Sequence, residues 1–176
     1  MFARQIAKLL LASAMLVAFA GAAIAQVPRG MGPLTLDQQR LAQNGDNSSR
    51  RIEEATFALQ SKNYGVAAGL LEDALRHDPK NAHANFLMGV AKMGLEKWSD
   101  AKKYLEIAVK KAPKDPDPKS RLAVTLIKLG DIDGAMAQRN ELAKMSEKCK
   151  GACRNAQWIA SGLSMIDSAL PPKPAS

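Results

Sequence analysis

Three alanines, Ala67, Ala101 and Ala135, stand 34 residues apart along the chain. The same stride carries other positions with it, without gaps. Tyr64, Trp98 and Ile132 each lie three residues ahead of an alanine, and Ala74, Ala108 and Leu142 each lie seven behind. Pro79 and Pro113 keep the register, whereas the third equivalent position, Glu147, departs from it. A unit this short cannot bury its apolar face alone. A chain built at this stride therefore has to fold by stacking its units, and three is near the lower limit.

The unit itself reads as helical. Ala67, Leu70, Leu71, Ala74 and Leu75 form one apolar stripe at helical spacing, and Ala101, Tyr104, Leu105, Ala108 and Val109 repeat it. Aromatic residues make up only 5% of the chain, and few stretches are rich in Val, Ile, Tyr or Thr, which argues against sheet. Proline lacks an N–H and clashes with the preceding turn, so Pro79 and Pro113 read as stops after a helix. The patterning predicts seven helices, at about 48–61, 64–77, 81–94, 98–111, 116–129, 132–147 and 153–169.

On these residues the chain resembles the tetratricopeptide repeat family, whose unit is a helix-turn-helix of 34 residues. The family places a small residue in the first helix, here Ala55, Gly89 and Ala123. It places a large apolar residue at the start of the second, here Tyr64, Trp98 and Ile132, then small residues inside it and a closing proline. The second unit matches best, with Gly89, Trp98, Ala101, Ala108 and Pro113 all present. The resemblance implies an all-α right-handed solenoid of three repeats, 48–81, 82–115 and 116–147, spanning 48–147. A disulfide loop and capping helix over 148–170 follow, the helix presenting Ala156, Ile159, Ala160, Leu163, Ile166 and Leu170 to the last repeat.

The two ends read differently. Arg4 and Lys8 precede an apolar run from Leu9 to Ala20, and Ala23-Ile24-Ala25 supplies small residues where a signal peptidase reads. This predicts a signal peptide over 1–25, cleaved after Ala25, and an exported, periplasmic or secreted protein of bacterial type. Twelve apolar residues are short for a bilayer span of about 20, although retention of Ile6–Ala25 as an anchor is the rival reading. Cleavage lowers the formal net charge from +8 by two, to +6. Residues 26–47 form a linker in which Pro28, Gly30, Gly32 and Pro33 oppose regular structure. Thr35 to Gln38 has capping-box spacing for a short helix to about Asn44, ended by Gly45. Pro171-Pro172-Lys173-Pro174 ends structure and predicts a disordered tail over 171–176.

No arrangement for catalysis is visible, and no metal site or cofactor is expected. The nucleophile elbow, the HExxH pair and the phosphate-cradling loop are all missing. His77 and His83, the only histidines, flank the Pro79 turn and lack further ligands. Cys149 and Cys153 are the only cysteines. In an exported protein they are expected to pair as a disulfide, with thiol exchange or copper binding as the alternative. Lysines concentrate around the second repeat, from Lys92 to Lys119, but Glu96, Asp100, Glu106, Asp115 and Asp117 balance them. Aromatic residues are not interleaved for base stacking, so nucleic acid is not an expected partner. No stable membrane insertion is expected once the leader is cut.

In this family the first helices line the concave face. Carried over residue by residue, its groove positions are Ile52, Thr56 and Leu59, then Phe86, Val90 and Met93, then Val124, Ile127 and Lys128. The resemblance implies an apolar groove with a basic end, suited to an amphipathic helix or extended peptide of another protein. The alternatives are that the chain's own Met31, Leu34, Leu36 and Leu41 fold back into it, or that these side chains are spent between helices. One subclass clamps a chaperone's terminal carboxylate with Lys and Asn. Here Ile52, Thr56, Leu87 and Asp117 occupy those positions and only Arg121 fits, so that function is not implied. The expected role is a non-enzymatic scaffold of the cell envelope. The alternative is a structural subunit or assembly factor of a secretion, pilus or cytochrome-maturation complex.

Overall fold

The computed structural model describes residues 35–172. The leader at 1–25, the linker as far as 34 and the tail from 173 lie outside the described residues. Among the described residues every regular element is an α-helix. In chain order these are α1 (Leu36–Gln60), α2 (Tyr64–His77), α3 (Ala82–Gly94), α4 (Trp98–Lys111), α5 (Pro116–Lys128), α6 (Ile132–Cys149) and α7 (Ala156–Ala169). The helices α1 to α6 form three stacked helix-turn-helix units of a solenoid, and α7 lies against both α5 and α6.

The first helix differs from expectation. A break was expected at Gly45, but α1 runs unbroken for 25 residues, through Gly45 and Asn47. A glycine inside a helix costs about 1 kcal/mol relative to alanine. A helix already nucleated on both sides absorbs that cost, because each added residue brings its own hydrogen bond.

Helix ends are set by local chemistry. The side chain of Asn81 accepts from the Ala84 N–H at 2.9 Å, Asp115 from that of Asp117 at 3.1 Å, and Asp131 from that of Gly134 at 2.9 Å. Each satisfies a donor that the helix N-terminus leaves orphaned. Pro116 and Pro118 sit in the first turn of α5, where a missing N–H costs nothing.

The turns inside the units also obey the 34-residue stride. Lys62, Glu96 and Gly130 have φ of 56°, 58° and 80°. The residue after each donates back over the turn: Asn63 N–H to the Ala58 carbonyl, Lys97 to Lys92 and Asp131 to Leu126, at 2.8 to 2.9 Å. This is a Schellman closure, and its left-handed position suits glycine. Only the third unit has glycine there; Lys62 and Glu96 adopt the conformation at a cost of about 1 kcal/mol each.

Small residues let the helices meet. Ala55, Ala67, Ala101, Ala108, Ala123 and Ala135 are completely buried, and Ala74 nearly so. Gly89 is buried against the side chain of Leu105: a Cβ there would stand 2.5 Å from Leu105 Cγ. One buried cluster joins α1, α2 and α3 through Ala55, Ala67, Leu71, Leu87 and Met88. A second joins α4 to α7 through Leu105, Leu122, Leu126, Leu142 and Ile166. Phe86 packs against both and ties the first unit to the last. Pro79 and Pro113 end their units at exposed turns, while Tyr64, Trp98 and Ile132 are half-buried.

The capping helix comes closer than expected, and on a slightly different face. Ile159 and Ile166 are buried, but Ala160, assigned by periodicity to that face, is exposed. Gly162 takes the close contact instead; a Cβ there would stand 3.0 Å from the Cβ of Ser120 on α5. Two links fasten α7 to α6. Cys149 and Cys153 are joined by a disulfide, with their Cα atoms 5.1 Å apart. Arg139 donates to both carboxylate oxygens of Asp167, at 2.5 and 3.0 Å. The Arg139 hydrogen bond holds the Asp167 carboxyl below its usual range, more than burial raises it.

Two outcomes follow from this packing. Gly89→Ala should lower unfolding free energy by about 1–3 kcal/mol, since Leu105 has no room to move. Gly69→Ala, where a Cβ meets nothing within 4 Å, should raise it by about 0.4–1 kcal/mol. Urea denaturation of both variants checks the pair. A depressed carboxylate pKa contributes stability above the unfolded value, and that stability is lost as pH falls through the lowered folded value. Asp167→Asn should therefore cost about 0.2–1 kcal/mol at pH 7 and progressively less as pH falls below the ordinary carboxylate range, so the wild-type and variant urea midpoints converge on acidification.

Candidate functional site

The residues assigned to the groove lie on α1, α3 and α5, the first helices of the three units. Ile52, Thr56 and Leu59 follow i, i+4, i+7 spacing on α1, so they share one helix face. Phe86, Val90 and Met93 repeat that face on α3, and Val124, Ile127 and Lys128 carry it onto α5. Two rows result at the 34-residue stride: Thr56–Val90–Val124 and Leu59–Met93–Ile127.

The two rows are not equivalent. All nine residues are half-buried except Lys128, which is exposed. Ile52, Leu59 and Phe86 pack against the first buried cluster, and Phe86, Met93 and Ile127 against the second. These five divide their surface between core and solvent. Thr56, Val90 and Val124 belong to neither cluster, and the Thr56 hydroxyl is spent on the Ile52 carbonyl at 2.8 Å. The middle row therefore offers apolar surface with little polar chemistry.

The structure adds residues that the pattern did not single out. Ser120 continues the Ile52–Phe86 positions by one more stride, but it is buried beneath Gly162 of α7. The capping helix thus covers the row where the third unit would extend it. The Ser120 hydroxyl donates to the Asp117 carbonyl at 2.8 Å and stays satisfied there. Asn85 is buried beside Phe86. Its amide donates to the carbonyls of Pro79 and Asn81 at 3.0 and 2.7 Å, fixing the turn before α3. The signal for Ser120 was the stride itself, applied to a polar position; from Asn85 the stride reaches Arg51 and Lys119, which carry no amide.

Stride also explains how the basic end is held. Tyr64 lies against Gly94, and a side chain at Gly94 would collide with its ring. One unit later the equivalent pair is Trp98 and Lys128, with the Lys128 Nζ 6.0 Å from the indole centroid. This distance is within cation–π range. Lys128 is thereby held beside Trp98 while remaining exposed. His83 sits beside Phe86, with ring centroids 6.5 Å apart, and is exposed like His77. Two lysines of α4 have local partners: Lys102 pairs with Glu106 at 3.8 Å and Lys103 with Asp100 at 3.2 Å. Among the described residues no cluster of His, Cys, Asp or Glu could hold a metal ion, and no helix is long and apolar enough to cross a membrane.

Comparison with known proteins fits this geometry. The family model described as tetratricopeptide repeat matches residues 58–120 and 93–148, together more than half of the chain. No match is found among curated proteins. Among solved structures, the type III secretion translocator chaperone SycD of Yersinia enterocolitica aligns with a TM-score of 0.61 at 15% identity, over 78% of this chain and 99% of that one. The TPR domain of Sgt2 from Aspergillus fumigatus aligns with a TM-score of 0.55 at 23% identity, over 73% and 87%. The TPR2B domain of yeast Sti1, solved as a complex with pHsp70, aligns with a TM-score of 0.58 at 15% identity, over 69% and 97%. At these identities the likeness concerns the fold.

Proposed function

We propose, from the premise that this chain belongs to the tetratricopeptide repeat family, that it is a non-enzymatic scaffold binding a segment of another protein on its first-helix face. The observation that carries the reading is the run of half-exposed apolar side chains shared by α1, α3 and α5 at constant stride. Core packing alone does not require Val90 and Val124 to be apolar, because neither belongs to a buried cluster. A row of valines left half in solvent suits the apolar face of an amphipathic helix or alternate side chains of an extended peptide. The Sti1 domain named above was solved with a bound partner, and the present fold supports the same class of role here. The chaperone-clamp version of that role is not part of the proposal, since Leu87 is buried and Ile52 and Thr56 offer no cation.

The compartment is the cell envelope or the exterior, in our reading. The leader-like sequence at 1–25 and the Cys149–Cys153 disulfide support it, because oxidising compartments preserve such bonds. On this proposal the repeats 48–81, 82–115 and 116–147 bind, and the capped segment 148–170 closes the array.

A photo-reactive amino acid at Val90 or Val124 should cross-link a partner segment in native envelope extract. Val90→Asp with Val124→Asp should abolish that capture and leave the circular dichroism helical. Lys103→Glu, on the exposed part of α4, should leave capture intact. Equal capture by the double variant would remove the groove from consideration.

A further inference from the structure

A second surface lies where the start of α7 faces the turn before α5. An open cleft of about 630 Å³ separates the α4–α5 turn from the start of α7. Pro113, Pro116 and the indole of Trp158 form its apolar walls, and Asp115 and Asp117 add two carboxylates. Lys114 is the single cation in the lining. Trp158 is 59% exposed, an unusual state for the largest side chain available to a capping helix. No salt bridge engages Asp115 or Asp117 among the described residues. Partial burial and the neighbouring Asp115 push the Asp117 pKa up, with Arg121 pulling it down, so added positive charge beside the pair would be welcome.

An aromatic plate between prolines, flanked by carboxylates, suits a proline-rich strand that carries a cation. The chain contains such a segment. Leu170 ends α7 with φ −65° and ψ 143°, already in the polyproline II region, as a residue before proline is biased to be. Pro171-Pro172-Lys173-Pro174 follows. That motif cannot reach the cleft of its own copy. Trp158 is near the start of α7 and Leu170 is at its end, about 18 Å away along the axis at 1.5 Å per residue. Lys173 is three residues beyond Leu170, so its backbone lies at most about 11 Å from there.

We propose that the Pro171–Pro174 segment of one copy docks in the Trp158 cleft of a second copy, prolines on the indole and Lys173 against Asp115 and Asp117. The contact links copies of the scaffold without occupying the groove.

The test uses the purified chain with Trp98→Phe, so that Trp158 is the only indole. Sedimentation velocity should show mass rising with protein concentration. That rise should disappear in a chain ending at Leu170, in Trp158→Ala and in Lys173→Glu, with helical circular dichroism unchanged. Asp117→Lys combined with Lys173→Glu should restore it. A synthetic Leu170–Ser176 peptide added to the shortened chain should shift the Trp158 emission. Self-association that survives removal of the tail overturns the proposal. So does a peptide that leaves the emission unchanged. A chain that stays monomeric while tail removal shifts Trp158 emission would mean docking within one copy, which also overturns it.

Discussion

Everything in this structure rests on how closely two helices can approach. Ala55, Ala67, Gly89, Ala101, Ala123 and Ala135 bring backbones together by having almost nothing between them. Interiors are close-packed, so a contact of this kind admits only a small side chain. Because the contact recurs every 34 residues, each unit presents the same face to the next. The groove rows, the basic end and the capping contact inherit their positions from that geometry. Gly89 against Leu105 is a tight case, and it lies directly between the helix carrying Val90 and the helix behind it.

The repeat does more than stack apolar residues. Lys62, Glu96 and Gly130 turn the chain in the same left-handed way, and Tyr64 on Gly94 becomes Trp98 on Lys128 one unit later. A single stride therefore fixes a turn, a core contact and an aromatic contact together. The array stops obeying it at α7. One more stride from Lys128 arrives at Gly162, which lies on Ser120 and Leu142 rather than on Ile132. The disulfide and the Arg139–Asp167 pair hold α7 in this different placement. An end helix has no successor to position it, so it needs links of its own.

The parts legible in the sequence were those governed by period. Among the described residues, helix number, the buried alanines and the proline stops follow from spacing, because burial at a fixed stride leaves a mark at every turn. The groove residues were named from the family resemblance, and they lie on α1, α3 and α5, the first helices of successive units. It does not make them equal. Division of Ile52, Phe86 and Ile127 between core and solvent depends on how units meet, which no single unit encodes. The continuity of α1 through Gly45 was missed because a local propensity was weighed without the helix on either side. Ala160 was misplaced for a related reason: a six-position apolar pattern fixes a face only to within one side chain, and Gly162 decides it by contact. The exposed Trp158 lies off the apolar face read from spacing, but its place in a cleft depends on how α7 meets the α4–α5 turn, which spacing does not give.

The surface left over sets how tightly the groove can bind. Fully burying a valine or leucine side chain is worth about 1.5–3 kcal/mol, so covering the open half of one supplies roughly 1 kcal/mol. The two valines of the Thr56–Val90–Val124 row thus yield about 2 kcal/mol. Association costs at least about 4 kcal/mol in lost freedom before any side chain is ordered. A ligand confined to that row would not stay bound. One that also covers the open halves of Ile52, Leu59, Phe86, Met93 and Ile127 gains roughly 5 kcal/mol more, enough for weak, exchangeable binding. Tighter binding then requires either an acidic group on the ligand at Lys128, which Trp98 holds in place, or two scaffolds presented together. The physics of three small units favours a partner that touches all three first helices at once, because no one of them offers enough surface to hold it.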